Sequence, residues 1–100
     1  MGAFVVAEVL KEVRHRGDQS VSLIGVSTVQ EEIGLRGGAT SAFGVKPDLG
    51  IVVEVNFASD YPDYDHKQAG EICLGKGPVL ARGPNINPVL FNLLLETARE

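Results

Sequence analysis

VSLIGVSTVQEEIGLRGG, residues 21–38, decides how the chain reads. Its first nine residues are β-branched or apolar almost throughout, the composition of a strand buried on both faces in a sheet covered by helices. The run ends on Gln30-Glu31-Glu32 and passes into Gly34, Gly37 and Gly38, with a short helix expected over Gly38–Val45. Working upstream, Val6, Val9, Leu10 and Val13 recur at helical spacing and predict a first helix. Arg14, His15 and Arg16 suit that helix's negative end, Gly17 is a natural stop, and Gly17-Asp18 opens a turn. Working downstream, Lys46-Pro47-Asp48 breaks the chain before a second apolar run, Gly50 to Phe57.

Beyond it, residues 58–77 are polar and irregular, with short strands expected at Glu71–Leu74 and Pro78–Arg82. Asn87-Pro88 predicts a helix start, since Asn accepts from orphan backbone N–H groups and proline fits the first helical position. Leu90, Leu93, Leu94 and Ala98 mark that helix's apolar face. The order of elements predicts an α/β fold: a layered α/β/α arrangement around a mixed, partly parallel sheet. One hundred residues suit a single domain over 1–100, and both terminal helices look ready to pack on something more.

Composition removes several function classes. A net charge of −4 leaves no broad basic footprint, so neither nucleic acid nor an anionic membrane is an expected partner. No apolar run approaches the ~20 residues that span a bilayer, and the first residues lack the layout of a signal peptide. One cysteine, Cys73, excludes an internal disulfide framework and makes a reducing, cytoplasmic setting the expectation.

Chemistry has few places to sit. Glu31 and Glu32 end a strand, where open α/β sheets bind ligands, and paired carboxylates can divide the holding of a cation and the moving of a proton. Equally, both acids favour the N-terminal end of a following helix. Glu54 either lies within a buried strand, which requires a partner, or alternates outward with Val52 and Asn56 while Ile51, Val53, Val55 and Phe57 point inward. Asp60, Asp63, Asp65 and His66 lack the spacing and glycine of an EF-hand and read as a solvated acidic loop. Gly70–Lys76 opens like a phosphate-binding loop but continues with Gly77-Pro78, without the hydroxyl or the helix that phosphate needs. Cys73 reads as a small apolar filler, and His15 as a helix-end cation.

TVQEEIGLRGG (residues 28–38), EVNFASDYPD and LGKGPVLARGPNINP together resemble the glutamyl/deblocking aminopeptidases, a family of di-metal cytosolic aminopeptidases that includes the tetrahedral aminopeptidases. The resemblance runs from Gly2 to the end. It implies half of a zinc-peptidase catalytic domain, with Glu31 as the general base that takes a proton from a metal-bridging water. Glu32 is implied as a ligand of one metal and Glu54 as a ligand of the other, in Glu-Val-Asn where Asp-Val-Thr is common. Two divalent ions, zinc or cobalt, and peptide substrates are implied with them, together with homo-oligomerisation or pairing with a complementary chain.

The departures matter equally. The family's bridging aspartate lies in an Asp-Asp-Arg-x-Gly stretch whose last glycine corresponds to Gly2, so the chain starts just after it. Two histidine ligands and the inserted dimerisation domain have no counterpart, and neither His15 nor His66 stands where those histidines do. The expectation is a partial catalytic domain, inactive or nearly so alone. A non-catalytic subunit that pairs with full-length relatives is the second reading. A carbohydrate hydrolase is the third; it fits poorly with 6% aromatic residues and no Trp for stacking on sugars.

Overall fold

The structure is a computed structural model; it describes residues 1–17 and 20–100, without the side chains of residues 68 and 69. Four helices form: α1 (Gly2–Arg16), α2 (Arg36–Val45), α3 (His66–Ala69) and α4 (Pro88–Thr97). The chain divides into two units, Met1–Val55 and Asn56–Glu100.

In the first unit α1 forms where its apolar spacing predicts. Gly17 closes it at φ 70°, its N–H reaching the Arg14 carbonyl. The Asp18 half of the turn expected there lies outside the described residues. Lys11 pairs with Glu8, and Arg16 with Glu12 at 2.8 Å, along the exposed side of the helix. Val6 and Leu10 lie against Gly25, where a Cβ would come within 2.6 Å of Leu10 Cδ1. Gly2 similarly approaches the Val53 carbonyl, 2.8 Å from where its Cβ would stand. One helix therefore touches both apolar runs, and glycine is what permits each close approach. α2 starts two residues earlier than expected, at Arg36. The Thr40 hydroxyl donates to the Arg36 and Gly37 carbonyls, 3.1 and 3.2 Å away, inside its first turns.

In the second unit Asn87 caps α4 as its sequence predicts, its side-chain oxygen accepting from the N–H groups of Val89 (2.9 Å) and Leu90 (3.2 Å). The Arg82 guanidinium stands 5.6 Å from the centre of the Phe91 ring. α3 is a single turn that composition did not announce, begun by the Asp65 carboxylate accepting from Lys67 N–H.

The expected layered α/β/α fold with a partly parallel sheet is not what forms. Among the described residues there is no strand, neither over Val21–Val29 and Gly50–Phe57 nor over Glu71–Leu74 and Pro78–Arg82. The physical reason is partnership. A helix closes its hydrogen bonds within itself, whereas a strand exists only where a second backbone lies alongside. Among the described residues no backbone hydrogen bond joins 21–28 to 50–57. Burial follows the same course. Among the described residues no apolar side chain is buried, and the one buried polar side chain is Ser59 at 1% exposure. The β-branched runs read as core strands meet α1 at Gly25 and at Val53, and their large apolar side chains stay exposed.

Candidate functional site

The tandem acids sit on the most tightly determined turn of the first unit. The Glu31 carbonyl accepts from Gly34 N–H (3.1 Å) and Leu35 N–H (2.9 Å). The Gln30 carbonyl accepts from Arg36 N–H at 3.3 Å, and the Val29 carbonyl from Gly37 N–H at 2.9 Å. Gln30 (φ 58°) and Leu35 (φ 56°) both take the left-handed conformation, and Gly34 between them has φ 114°. Non-glycine residues hold such angles only where the surroundings over-determine them, at about 1–3 kcal/mol each. Gly37 completes the device: a Cβ there would collide with the Val29 carbonyl oxygen and stand 2.5 Å from Val29 N. The turn thus presents the Glu31 and Glu32 carboxylates to solvent from a backbone that is fixed on both sides.

Sequence reasoning marked Glu31 and Glu32 but not the residues that hold them. Gly37 carried a usable signal, because a glycine entering a helix right after Arg36 marks a close backbone approach. Gln30 and Leu35 carried none, since neither residue type announces a left-handed backbone.

Glu54 is held differently. Its Oε1 accepts from the N–H of the next residue, Val55, at 2.7 Å, a bond within the segment. Neither the buried-strand reading of this residue nor simple alternation holds, because Ile51, Val52, Val55 and Phe57 are all more than half exposed. Among the described residues no three His, Cys, Asp or Glu side chains form a group able to hold a metal ion. Glu31, Glu32 and Glu54 are accordingly not gathered into one such group. The donors present are carboxylates without an imidazole among them, and one is occupied with its own backbone. They do not by themselves fit a pair of divalent ions.

The acidic loop of the second unit is structural. Ser59 N–H donates to the Ile72 carbonyl (2.6 Å), and Ile72 N–H donates back to Ser59 Oγ (2.6 Å). Asp60 Oδ2 accepts from Leu74 N–H at 2.9 Å. Tyr64 packs edge-on to both Tyr61 and His66. The resemblance of Gly70–Lys76 to a phosphate loop ends in a tight turn, Lys76 N–H to the Cys73 carbonyl, and no helix begins at Gly77 or Pro78. Cys73 donates to Glu71 Oε1 at 3.5 Å. Loss of hydration, that hydrogen bond, and the charges of Glu71 and Asp60 all raise the thiol pKa above its ordinary value.

The family described as M42 glutamyl aminopeptidase matches residues 1–100. The chain belongs to the M42 glutamyl aminopeptidase family. It is 41% identical over 91 residues to the lysyl aminopeptidase of Pyrococcus furiosus, covering 91% of this chain and 25% of that protein. With the glutamyl aminopeptidase of Lactococcus lactis subsp. cremoris it shares 34% identity over 100 residues, 97% of this chain and 26% of that protein. The chain thus spans about a quarter of the length of these M42 relatives. No solved structure matches it significantly. Among the described residues no helix is long and apolar enough to cross a membrane.

Proposed function

We propose that this chain carries part of the hydrolytic centre of a metal-dependent aminopeptidase acting on peptide N-termini. The observation that supports it is the pre-set turn from Val29 to Gly37, which holds two adjacent glutamates at solvent in an M42 chain. A fixed, exposed carboxylate is suited to accept a proton from water and return it to the leaving amine. In a complete centre Glu31 would take that role, and Glu32 and Glu54 would be carboxylates offered toward a divalent metal, zinc or cobalt. Because the donors on this chain do not fit the ions alone, no step of hydrolysis is assigned to the isolated 100 residues. The aminopeptidase names of the M42 relatives support peptides as the substrate class, and a cytoplasmic setting is part of the same proposal.

The exposure of the apolar runs favours a second reading beside it, a non-catalytic subunit that pairs with full-length relatives. A chimera separates the two. This chain replaces the matched stretch of the P. furiosus lysyl aminopeptidase, and hydrolysis of aminoacyl chromogenic substrates is followed. The catalytic reading predicts activity that falls about 10²–10⁴-fold in kcat with Glu31→Gln, with little change in KM. A Glu31→Gln chimera as active as its parent overturns it. The isolated chain with added zinc or cobalt is expected to give no Glu31-dependent turnover.

A further inference from the structure

Among the described residues only Gly37 and Ser59 are buried. Ser59 is accounted for by the hydrogen bonds it exchanges with Ile72. Gly37 has no side chain, so its burial contributes almost no hydrophobic stabilisation. What it provides is proximity. A Cβ there would collide with the Val29 carbonyl oxygen and stand 2.5 Å from Val29 N and 3.1 Å from Val29 C. Gly25 instead faces the movable ends of Leu10 and Val6, and Gly38, one residue on, faces open space. The contact at Gly37 reaches the site through Gln30, left-handed at φ 58° and directly before Glu31. Gly37 N–H holds the Val29 carbonyl at 2.9 Å, and Arg36 N–H holds the Gln30 carbonyl at 3.3 Å. These two bonds fix the peptide planes on either side of Gln30. With the Glu31 carbonyl also held by Gly34 and Leu35, they fix the direction in which the Glu31 side chain leaves the backbone. Glutamine stays left-handed only where its surroundings impose it, and such outliers cluster at functional sites.

We propose that Gly37 is a positioning residue for Glu31: by admitting the Val29 backbone where any side chain would stand, it sets where the carboxylate of the general base comes to rest. This role rests on the reading of Glu31 as that base. A Cβ brought out to ordinary contact, 3.4 Å or more, requires the two backbones to part by about 1 Å. A displacement of that size at a reacting group costs about a hundredfold in rate. Because the group displaced moves a proton and does not hold the substrate, the loss falls on kcat and not on KM.

The test uses the P. furiosus lysyl aminopeptidase with this chain in place of its matched stretch, its variants compared at equal bound metal and by circular dichroism. Gly37→Ala is expected to lower kcat about a hundredfold, with KM changed less than about threefold and the circular dichroism retained. Gly38→Ala adds a Cβ that meets nothing and should keep kcat within about threefold of the parent. Beside Glu31→Gln, the loss caused by Gly37→Ala should shrink to less than about threefold, because the group it positions is gone. Four results overturn the role: a Gly37→Ala protein with unchanged kcat, one that loses its circular dichroism along with its activity, a Gly38→Ala loss as large as that of Gly37→Ala, or a Gly37→Ala loss undiminished beside Glu31→Gln. A parent without Glu31-dependent hydrolysis removes the functional reading and this role with it. A parent with Glu31-dependent hydrolysis that Gly37→Ala leaves untouched removes the role alone.

Discussion

Val29–Gly37 and Gly50–Val55 lie in the same unit and both carry glutamates of the candidate site, yet they are held in opposite ways. The first closes four hydrogen bonds upon itself and tolerates two left-handed non-glycine residues to do so. The second has apolar side chains in solvent, and its glutamate bonds to its own neighbouring N–H. The difference separates structure that nine consecutive residues can specify from structure that needs a distant backbone. Where the partner segment is close in sequence, the geometry is complete; where it is not, the run stays open.

The largest effect should come from breaking the closed turn. Gly37→Ala forces a Cβ into the Val29 backbone and is expected to cost about 3 kcal/mol locally, read as a roughly hundred-fold loss of amide-exchange protection at Gly34 and Leu35. Unchanged protection would mean that the turn is held by something else. Ser59→Ala tests whether the same logic extends to the second unit. It removes the buried hydroxyl that accepts from Ile72 N–H and should cost about 2 kcal/mol, with the Ile72 amide exchanging faster. Asn87→Ala removes the cap of α4 and should cost about 1 kcal/mol, visible as lost helicity over residues 88–91 by NMR chemical shifts.

The smallest effect concerns Cys73. The folded state holds the thiol proton more tightly than the unfolded chain does. The thiol's contribution to stability is therefore complete below the ordinary thiol pKa and lost as pH rises through the raised folded value. Alkylation by iodoacetamide should accelerate at a higher pH than for a free cysteine peptide. Glu71→Gln should move that profile back toward the peptide's, and a profile matching the peptide's in the unsubstituted chain would contradict the assignment.

The same contrast explains what could be read beforehand. α1 and α4 were legible because spacing, Gly17 and Asn87-Pro88 act within a few residues of one another. The sheet was the wrong expectation because β-branched composition reports suitability for a half-buried pleated surface, not the presence of a partner. For the site, Glu31, Glu32 and Glu54 could be singled out by type and context. The backbone that fixes the first two could not, since left-handed Gln30 and Leu35 follow from hydrogen bonds among neighbours and not from their own side chains. Likewise the acids of SDYPDYDHK read as a solvated loop, while Asp60 and Asp65 turn out to accept backbone N–H groups.

Residue-resolved amide exchange of the 100-residue chain is the most direct test of the central claim, that the turn bearing the tandem glutamates is self-supporting while the apolar runs 21–28 and 51–55 share no backbone hydrogen bond among the described residues. The account predicts slowed exchange at Gly34, Leu35, Arg36 and Gly37, and exchange near the unstructured rate across residues 21–28 and 51–55. Strong protection of those two runs in the free chain, with rapid exchange at 34–37, would contradict it.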